Sequence, residues 1–98
     1  MDLDKNIYLA DLYDIYQNLL TPKQKSYFYD YYFLDLSLAE IAENYNLSRN
    51  AIFDQIKHTE NKLLEFEEKL KLYNKLTKIE GLDLDVKVKT QILDILKE

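Results

Sequence analysis

The near absence of glycine and proline limits what this chain can fold into more than any other feature. Gly81 and Pro22 are the only examples of the two residue types among 98 residues. Tight β-hairpins need residues that adopt positive φ, which glycine supplies best, whereas helices require that both residue types stay out of their interiors. The sequence therefore predicts an all-α fold, a helical bundle, in a single domain over residues 1–98.

Composition excludes several classes of protein. The chain has no cysteine, so it has neither a disulfide framework nor thiolate chemistry. No apolar run approaches the ~20 residues that cross a bilayer, so we expect no membrane span. The acidic N-terminal segment lacks the apolar stretch of a signal peptide, and we therefore expect a cytoplasmic protein.

Apolar residues that recur at three- and four-residue intervals predict five helices. The predicted helices cover about residues 4–20, 22–34, 38–44, 49–78 and 85–97. The fourth is expected to be one long helix of roughly thirty residues, because no helix breaker occurs between Arg49 and Gly81. Gly81 is expected to end it in the left-handed conformation, and Asp83 or Asp85 to cap the last helix.

Capping patterns mark the starts of three of these helices. Thr21 with Gln24, and Ser37 with Glu40, have the spacing of a capping box, in which each side chain satisfies the other residue's amide. Ser48 is the residue expected to cap the fourth helix.

The segment NYNLSRNAIFDQIKHTE, residues 44–60, has the pattern of a turn followed by a DNA-reading helix. In a helix-turn-helix motif over about 37–60, Ala42 is small enough to let the two helices approach, and Asn46 tolerates positive φ in the turn. Apolar residues spaced to fill the angle between the helices are Ile41, Leu47, Ile52 and Ile56. An ordinary capped helical hairpin would explain the two serine caps equally well, but this spacing less well.

The exposed face of the second helix supplies the candidate DNA-binding residues. These are Ser48, Arg49, Asn50, Phe53 and Lys57. Ser48 would contact a phosphate at the helix N-terminus, and Arg49 and Asn50 are the residue types that read guanine and adenine edges. Lys57 would reach the DNA backbone. The alternative is that Arg49 and Lys57 are solvated charges and that Asn50 is an exposed polar residue without a binding role.

The continuation of this helix carries a heptad seam, which predicts pairing with a second copy. The candidate dimer seam consists of Leu63, Phe66, Leu70 and Tyr73. A projecting helix cannot cover this stripe alone, so we expect both a folded-back C-terminal helix and a homodimer; the alternative is a purely intramolecular bundle. Charged neighbours such as Glu67 and Lys71 are expected to be solvated flanks, some in i,i+4 pairs.

Charge argues against tight DNA binding. The formal net charge is −5 and the pI is near 4.9. Residues 37–60 carry two cations, Arg49 and Lys57, against four acids, a net charge of −2. Because DNA affinity draws on neutralised phosphates, we expect binding that is weak or assisted.

Catalytic and metal chemistry find little support in the sequence. His58 is the only histidine, and with Asp54 four residues earlier it makes at most half a metal site. No glycine-rich loop exists to hold a nucleotide. We therefore expect no metal, no cofactor and no enzymatic activity.

A family resemblance covers about residues 5–78. The run SLAEIAENYNLSRNAIFDQIKHTENKLLEFEEKLKLY, residues 37–73, resembles the small bacterial helix-turn-helix proteins of the YlxM family. The upstream run DLYDIYQNLLTPKQKSYFYDYYFLDLSLAEIA, residues 11–42, is similar to that family too, and its part LLTPKQ…YYFLDLSLAEIA, residues 19–42, also resembles region 4 of bacterial sigma factors. The resemblance implies an all-helical domain with a sigma-region-4-like helix-turn-helix.

The same resemblance implies a place in the signal recognition particle pathway. Two functions follow as expectations. The first is a helix-turn-helix DNA-binding regulatory protein that takes part in that pathway. The alternative is a helical adaptor that binds a signal recognition particle component, protein or RNA, without binding DNA.

Overall fold

The computed structural model describes residues 3–98, and over that range it contains six α-helices, a short 3₁₀ helix and no strand. The α-helices are α1 (Leu3–Tyr16), α2 (Pro22–Tyr32), α3 (Leu38–Tyr45), α4 (Arg49–Leu70), α5 (Leu72–Glu80) and α6 (Val86–Leu96). The 3₁₀ turn, Gln17–Leu19, ends the first helix four residues before the predicted Leu20. The expected all-α fold is confirmed.

Helix α4 is the centre of the molecule, because α1, α2 and α3 all pack against it. Two groups of buried side chains result. The larger group joins α1 and α2 to the middle of α4: Leu9, Leu12, Tyr13, Tyr16, Leu20, Phe28 and Leu63. The second joins α2 and α3 to the start of α4: Tyr27, Ile41, Ala42, Ile52 and Ile56. The second group therefore sets the angle at which α4 leaves the turn that precedes it.

Both predicted capping boxes are present, and they fix where α2 and α3 begin. The Gln24 amide donates to Thr21 Oγ1 at 3.2 Å, and the Thr21 amide donates to Gln24 Oε1 at 2.9 Å. The same reciprocal pair joins Ser37 and Glu40, with both distances 3.1 Å. Hydrogen bonds from the Ser37 backbone and side chain hold the pKa of Glu40 below its usual value, because they favour the charged carboxylate.

The predicted single helix over 49–78 is wrong, since the chain forms two helices that meet at Lys71. Lys71 has φ 56° and ψ 31°, which is the left-handed region. The Glu67 carboxylate accepts hydrogen bonds from the amides of Tyr73, at 2.9 Å, and Asn74, at 3.2 Å. The Tyr16 hydroxyl donates to Glu67 Oε1 at 2.6 Å and accepts from the Leu72 amide at 3.0 Å. These bonds satisfy the first amides of α5, so the helix can restart without glycine or proline.

Two further expectations near the C-terminus have different outcomes. Gly81 has φ −80°, so the predicted left-handed cap is wrong and the residue follows α5 in the right-handed region. Asp85 caps α6 by accepting from the Lys87 amide at 2.8 Å, which decides between the two candidate caps.

The described chain is elongated, with principal extents of 50 × 22 × 21 Å. Helix α6 has its main contact with α5, and no residue of α6 is buried. Among residues 3–98, none of the helices combines the length and the apolarity needed to cross a bilayer.

Candidate nucleic-acid interface

The turn between α3 and α4 is built by Asn46, which has φ 56° and ψ 44°. Its amide donates to the Glu43 carbonyl at 3.3 Å, and the Leu47 amide donates to the Ala42 carbonyl at 2.9 Å. This pair of bonds closes the end of α3 around one left-handed residue, a role in which asparagine is second only to glycine. The predicted role of Asn46 is confirmed.

The inside of the angle between α3 and α4 is filled largely as expected. Ile41, Ala42, Ile52 and Ile56 are buried there together with Tyr27 from α2. The expectation for Leu47 is wrong, because this side chain is 44% exposed. The Leu47 backbone closes the turn. The space beside the buried cluster is filled instead by half-buried residues that pack against it: Tyr31, Tyr32, Leu36 and Leu38.

Ser48 caps α4 as predicted. Its Oγ accepts from the Ala51 amide at 3.1 Å, and its backbone is extended, with φ −76° and ψ 155°. An accepting hydroxyl keeps its own proton free to donate to a phosphate oxygen. The amides of the first helical turn have no intrahelical acceptor and carry the positive end of the helix dipole, so this terminus suits an anion.

The candidate DNA-binding residues share one exposed face of α4. Arg49, Asn50, Phe53 and Lys57 are all exposed, and the Phe53 side chain is 45% exposed although it is apolar. At 100° per residue they fall within about 100° of arc and about 12 Å of helix length, which matches the part of a helix that enters a major groove. Asp54 is exposed on the edge of the same face and opposes anion binding there.

Lys57 forms an ion pair with a glutamate of its own helix. Its Nζ lies 3.4 Å from Oε1 of Glu60, which is only 8% exposed. The other Glu60 oxygen accepts a hydrogen bond from the Tyr32 hydroxyl of α2. Burial and this bond raise the pKa of Tyr32 well above that of an ordinary tyrosine. Glu60 was not among the predicted site residues, although its three-residue spacing from Lys57 indicates an ion pair on one helix face.

The predicted dimer seam lies mostly against the chain itself. Leu63 has no exposed surface and belongs to the core shared with α1. Phe66 and Tyr73 are partly buried, with ring centroids 5.8 Å from Tyr16 and 5.1 Å from Tyr8, respectively. Leu70, at 44% exposed, is the seam residue that remains open. Three of the four residues therefore stabilise the contact between α1 and the α4–α5 segment.

The acidic residues do not gather into a metal centre in the described part of the chain. No group of three or more histidine or carboxylate side chains is arranged to hold an ion there. His58 and Asp54 are both exposed on α4. This surface presents hydrogen-bonding groups, charges and the apolar ring of Phe53 on a capped helix.

Comparisons with known proteins agree with this geometry. A family model named UPF0122 and described as "Putative helix-turn-helix protein, YlxM / p13 like" matches residues 3–97, a range that includes all of the helices described above. The UPF0122 protein YlxM of Bacillus subtilis strain 168 is 53% identical to this chain over 75 residues, which are 76% of this chain and 68% of that protein.

Two other relatives extend the similarity. A UPF0122 protein of Geobacillus sp. strain WCH70 is 53% identical over 76 residues, 78% of this chain and 69% of the relative. A UPF0122 protein of Halalkalibacterium halodurans is 46% identical over 96 residues, 98% of this chain and 79% of the relative. The similarity to the last relative therefore includes the C-terminal helices as well as the helix-turn-helix.

Proposed function

This chain belongs to the UPF0122 family of YlxM- and p13-like helix-turn-helix proteins, and we propose that it is a regulatory protein that binds DNA through the first two turns of α4. The observation that carries the proposal is the left-handed turn at Asn46 followed by the Ser48-capped start of α4. That arrangement turns a polar helix face outward while the apolar face is anchored on α2 and α3.

Each candidate residue has a distinct task in this proposal. Arg49 donates two hydrogen bonds to a guanine edge, and Asn50 pairs with an adenine edge. Phe53 contacts a thymine methyl group, Ser48 donates to a phosphate, and Lys57 reaches the next phosphate along the backbone.

Affinity is modest in this proposal because one copy brings few cations to the DNA. Arg49 and Lys57 are the cations of the face, and Lys57 is shared with Glu60. We therefore propose a homodimer, which doubles the phosphate contacts and reads two half-sites. The proposal involves no catalytic step and places the protein in the cytoplasm, where bacterial DNA is found.

The test is fluorescence anisotropy of labelled duplex genomic fragments at low salt, with wild-type protein and Arg49→Ala. We expect micromolar binding by the wild type and about tenfold weaker binding by the variant, because a bidentate base contact is lost. Lys69→Ala is the matched control, since it removes one exposed cation of α4 outside the recognition turns. No binding by the wild type, or equal losses in both variants, would contradict the proposal.

A second candidate function follows from surface outside the helix-turn-helix. The α5–α6 end exposes large apolar side chains in a protein of net charge −5, which suits an adaptor that docks on a basic partner. The resemblance to the YlxM family makes a signal recognition particle component the partner to test. Affinity purification from nuclease-treated lysate should recover the targeting GTPase if the adaptor function is correct. Recovery of the protein alone argues against it.

A further inference from the structure

A cavity of about 680 Å³ lies between α1, α5 and the C-terminal end of α6. Its apolar lining comes from all three helices: Ile15, Leu72, Leu76, Ile79 and Leu96. The lining includes none of the candidate DNA-binding residues of α4. The volume is within the range of about 300–1,000 Å³ that is usual for small-molecule sites, so the cavity can hold one small ligand.

Three exposed lysines line the same cavity in a protein whose net charge is −5: Lys75, Lys78 and Lys97. Within residues 3–98, none of their amino groups forms an ion pair. Asp14 is the one acidic residue of the described lining, which therefore carries three cations against one anion. Because charges are screened over about 8 Å at physiological salt, this local excess of positive charge outweighs the overall charge at the cavity.

The cations and the apolar residues occupy adjacent parts of the α5 surface. At 100° per residue, the lining residues of α5 follow one another around the helix in the order Leu76, Leu72, Ile79, Lys75, Lys78. The apolar wall that α5 provides therefore ends in two amino groups. Asp14 lies on α1, and an adjoining cavity that shares this aspartate adds Asp11 and Glu80, so an anion is favoured at the α5 lysines.

We propose that this cavity binds a single-chain amphiphile with an anionic head group, such as an alkyl carboxylate. The alkyl chain lies against the apolar lining, where it covers side chains such as Leu96, which is 49% exposed. The carboxylate contacts Lys75 and Lys78, which have no other anionic partner among the described residues.

The apolar lining favours an alkyl chain over a more polar ligand. A chain of methylene groups forms no hydrogen bonds, so it leaves no polar group unsatisfied when it enters the cavity. A peptide or a nucleotide would bring several polar groups that these apolar side chains cannot satisfy. The inference goes beyond the proposed function, because the site shares no residue with the DNA-binding face.

Methyl NMR of the full chain, with labelled isoleucines and added decanoate, tests where the ligand binds. We expect saturable shifts of the Ile15 and Ile79 methyl signals at submillimolar decanoate, because both side chains line the cavity. The Ile7 methyl signal should not move, although this side chain of α1 is 52% exposed. The absence of shifts at Ile15 and Ile79, or equal shifts at Ile7, would overturn the inference.

Decanol tests the charge requirement, because it has the same chain length and no charge. The wild type should bind decanoate about fivefold more tightly than decanol, since two exposed ion pairs are gained. The double variant Lys75→Gln/Lys78→Gln should lose that preference and bind decanol as the wild type does. Equal affinities of the wild type for the two ligands would overturn the anionic class of ligand.

Matched variants separate this site from effects of net charge and of surface apolarity. Lys23→Gln/Lys25→Gln removes two lysines at the start of α2 and should keep the preference for decanoate. Ile79→Trp fills the cavity and should abolish the binding of both ligands, whereas Ile7→Trp should not, and circular dichroism should show equal helix content in all variants. Equal losses in the two lysine variants would contradict the inference.

Vesicles of phosphatidylglycerol distinguish a free amphiphile from a membrane surface. Because the cavity has room for one small ligand, we expect no co-sedimentation of the protein with these vesicles. Co-sedimentation without the decanoate-induced shifts at Ile15 and Ile79 would overturn the inference. DNA binding should be equal in the wild type and in Lys75→Gln/Lys78→Gln, so a failure of this inference and a failure of the proposed function are distinguishable.

Discussion

Two glutamates of α4 are buried although their positions look like those of solvated flanking charges. Glu60 and Glu67 are each 8% exposed, and each accepts a hydrogen bond from a tyrosine hydroxyl of another helix. The expectation that Glu67 is solvated is therefore wrong. A buried carboxylate needs such partners, because its charge is otherwise costly away from water. The expected i,i+4 pairing does occur at the surface, between Glu65 and Lys69 at 2.9 Å.

Glu60→Gln tests whether the buried carboxylate weakens the DNA-binding face. The amide oxygen can still accept from the Tyr32 hydroxyl, but the negative charge 3.4 Å from Lys57 Nζ is gone. We expect DNA affinity at low salt to rise roughly two- to tenfold, because Lys57 becomes free to meet a phosphate.

Glu65→Gln is the matched control, since it changes the net charge equally but frees Lys69, farther along α4. Anisotropy titrations of the two variants should therefore differ. Equal gains would mean that only the net charge of the protein matters.

At the scale of the secondary-structure elements, the junction between α4 and α5 has a backbone conformation that contacts with other parts of the chain stabilise. Residues with positive φ are Asp35, Asn46 and Lys71 within the described range. Aspartate and asparagine adopt this region readily, whereas lysine does so at a conformational cost of about 1 kcal/mol. That cost is offset at Lys71 by the hydrogen bonds that Glu67 and Tyr16 make to the start of α5.

Lys71→Gly should stabilise the protein by up to about 1 kcal/mol, because glycine adopts positive φ without strain. Lys69→Gly makes the same chemical change two residues earlier, inside α4, and should destabilise by about 1 kcal/mol. Urea unfolding followed by circular dichroism measures both free energies of unfolding. If the two variants shift stability in the same direction, the strain assigned to Lys71 is wrong.

At the scale of the whole molecule, two tyrosine–glutamate pairs join α4 to the helices packed on it. Tyr16 of α1 is bonded to Glu67, and Tyr32 of α2 is bonded to Glu60. Burial and the bond to Glu67 raise the pKa of Tyr16 to about 12, and burial and the bond to Glu60 raise the pKa of Tyr32. Alkaline pH therefore affects the two hydrogen bonds that join α4 to α1 and α2.

We expect stability to be lost as the pH rises above 10. The folded protein keeps the Tyr16 proton between pH 10, the ordinary tyrosine pKa, and about 12, whereas the unfolded chain releases it. Because the unfolded state binds fewer protons in that window, the free energy of unfolding falls as pH rises, by about 2 kcal/mol at about pH 11.5 from Tyr16 alone, and is unaffected below pH 10.

Urea midpoints measured from pH 8 upward test this expectation. Tyr16→Phe should flatten the slope above pH 10, and Tyr29→Phe, at a 45% exposed position, should not. A slope that is equal in the wild type and Tyr16→Phe would contradict the assignment.

The sequence by itself determined the features that depend on residues adjacent in the chain, namely the helix starts and the helix-turn-helix turn. The caps at Thr21, Ser37 and Ser48 and the left-handed turn at Asn46 each depend on a few consecutive residues, so the starts of the helices and the helix-turn-helix could be predicted. The exposed face of the recognition helix followed from the same periodicity, and its contact with DNA stays a prediction.

The tertiary structure decided what depends on residues brought together from distant parts of the chain. The break at Lys71 needs Tyr16, 56 positions before Leu72, and the burial of Glu60 needs Tyr32, 28 positions away. Most of the predicted dimer seam is covered by α1, and periodicity alone could not distinguish α1 from a second copy. An apolar stripe shows that a helix is covered but not by which surface, because helices of one chain and of two chains bury it equally well.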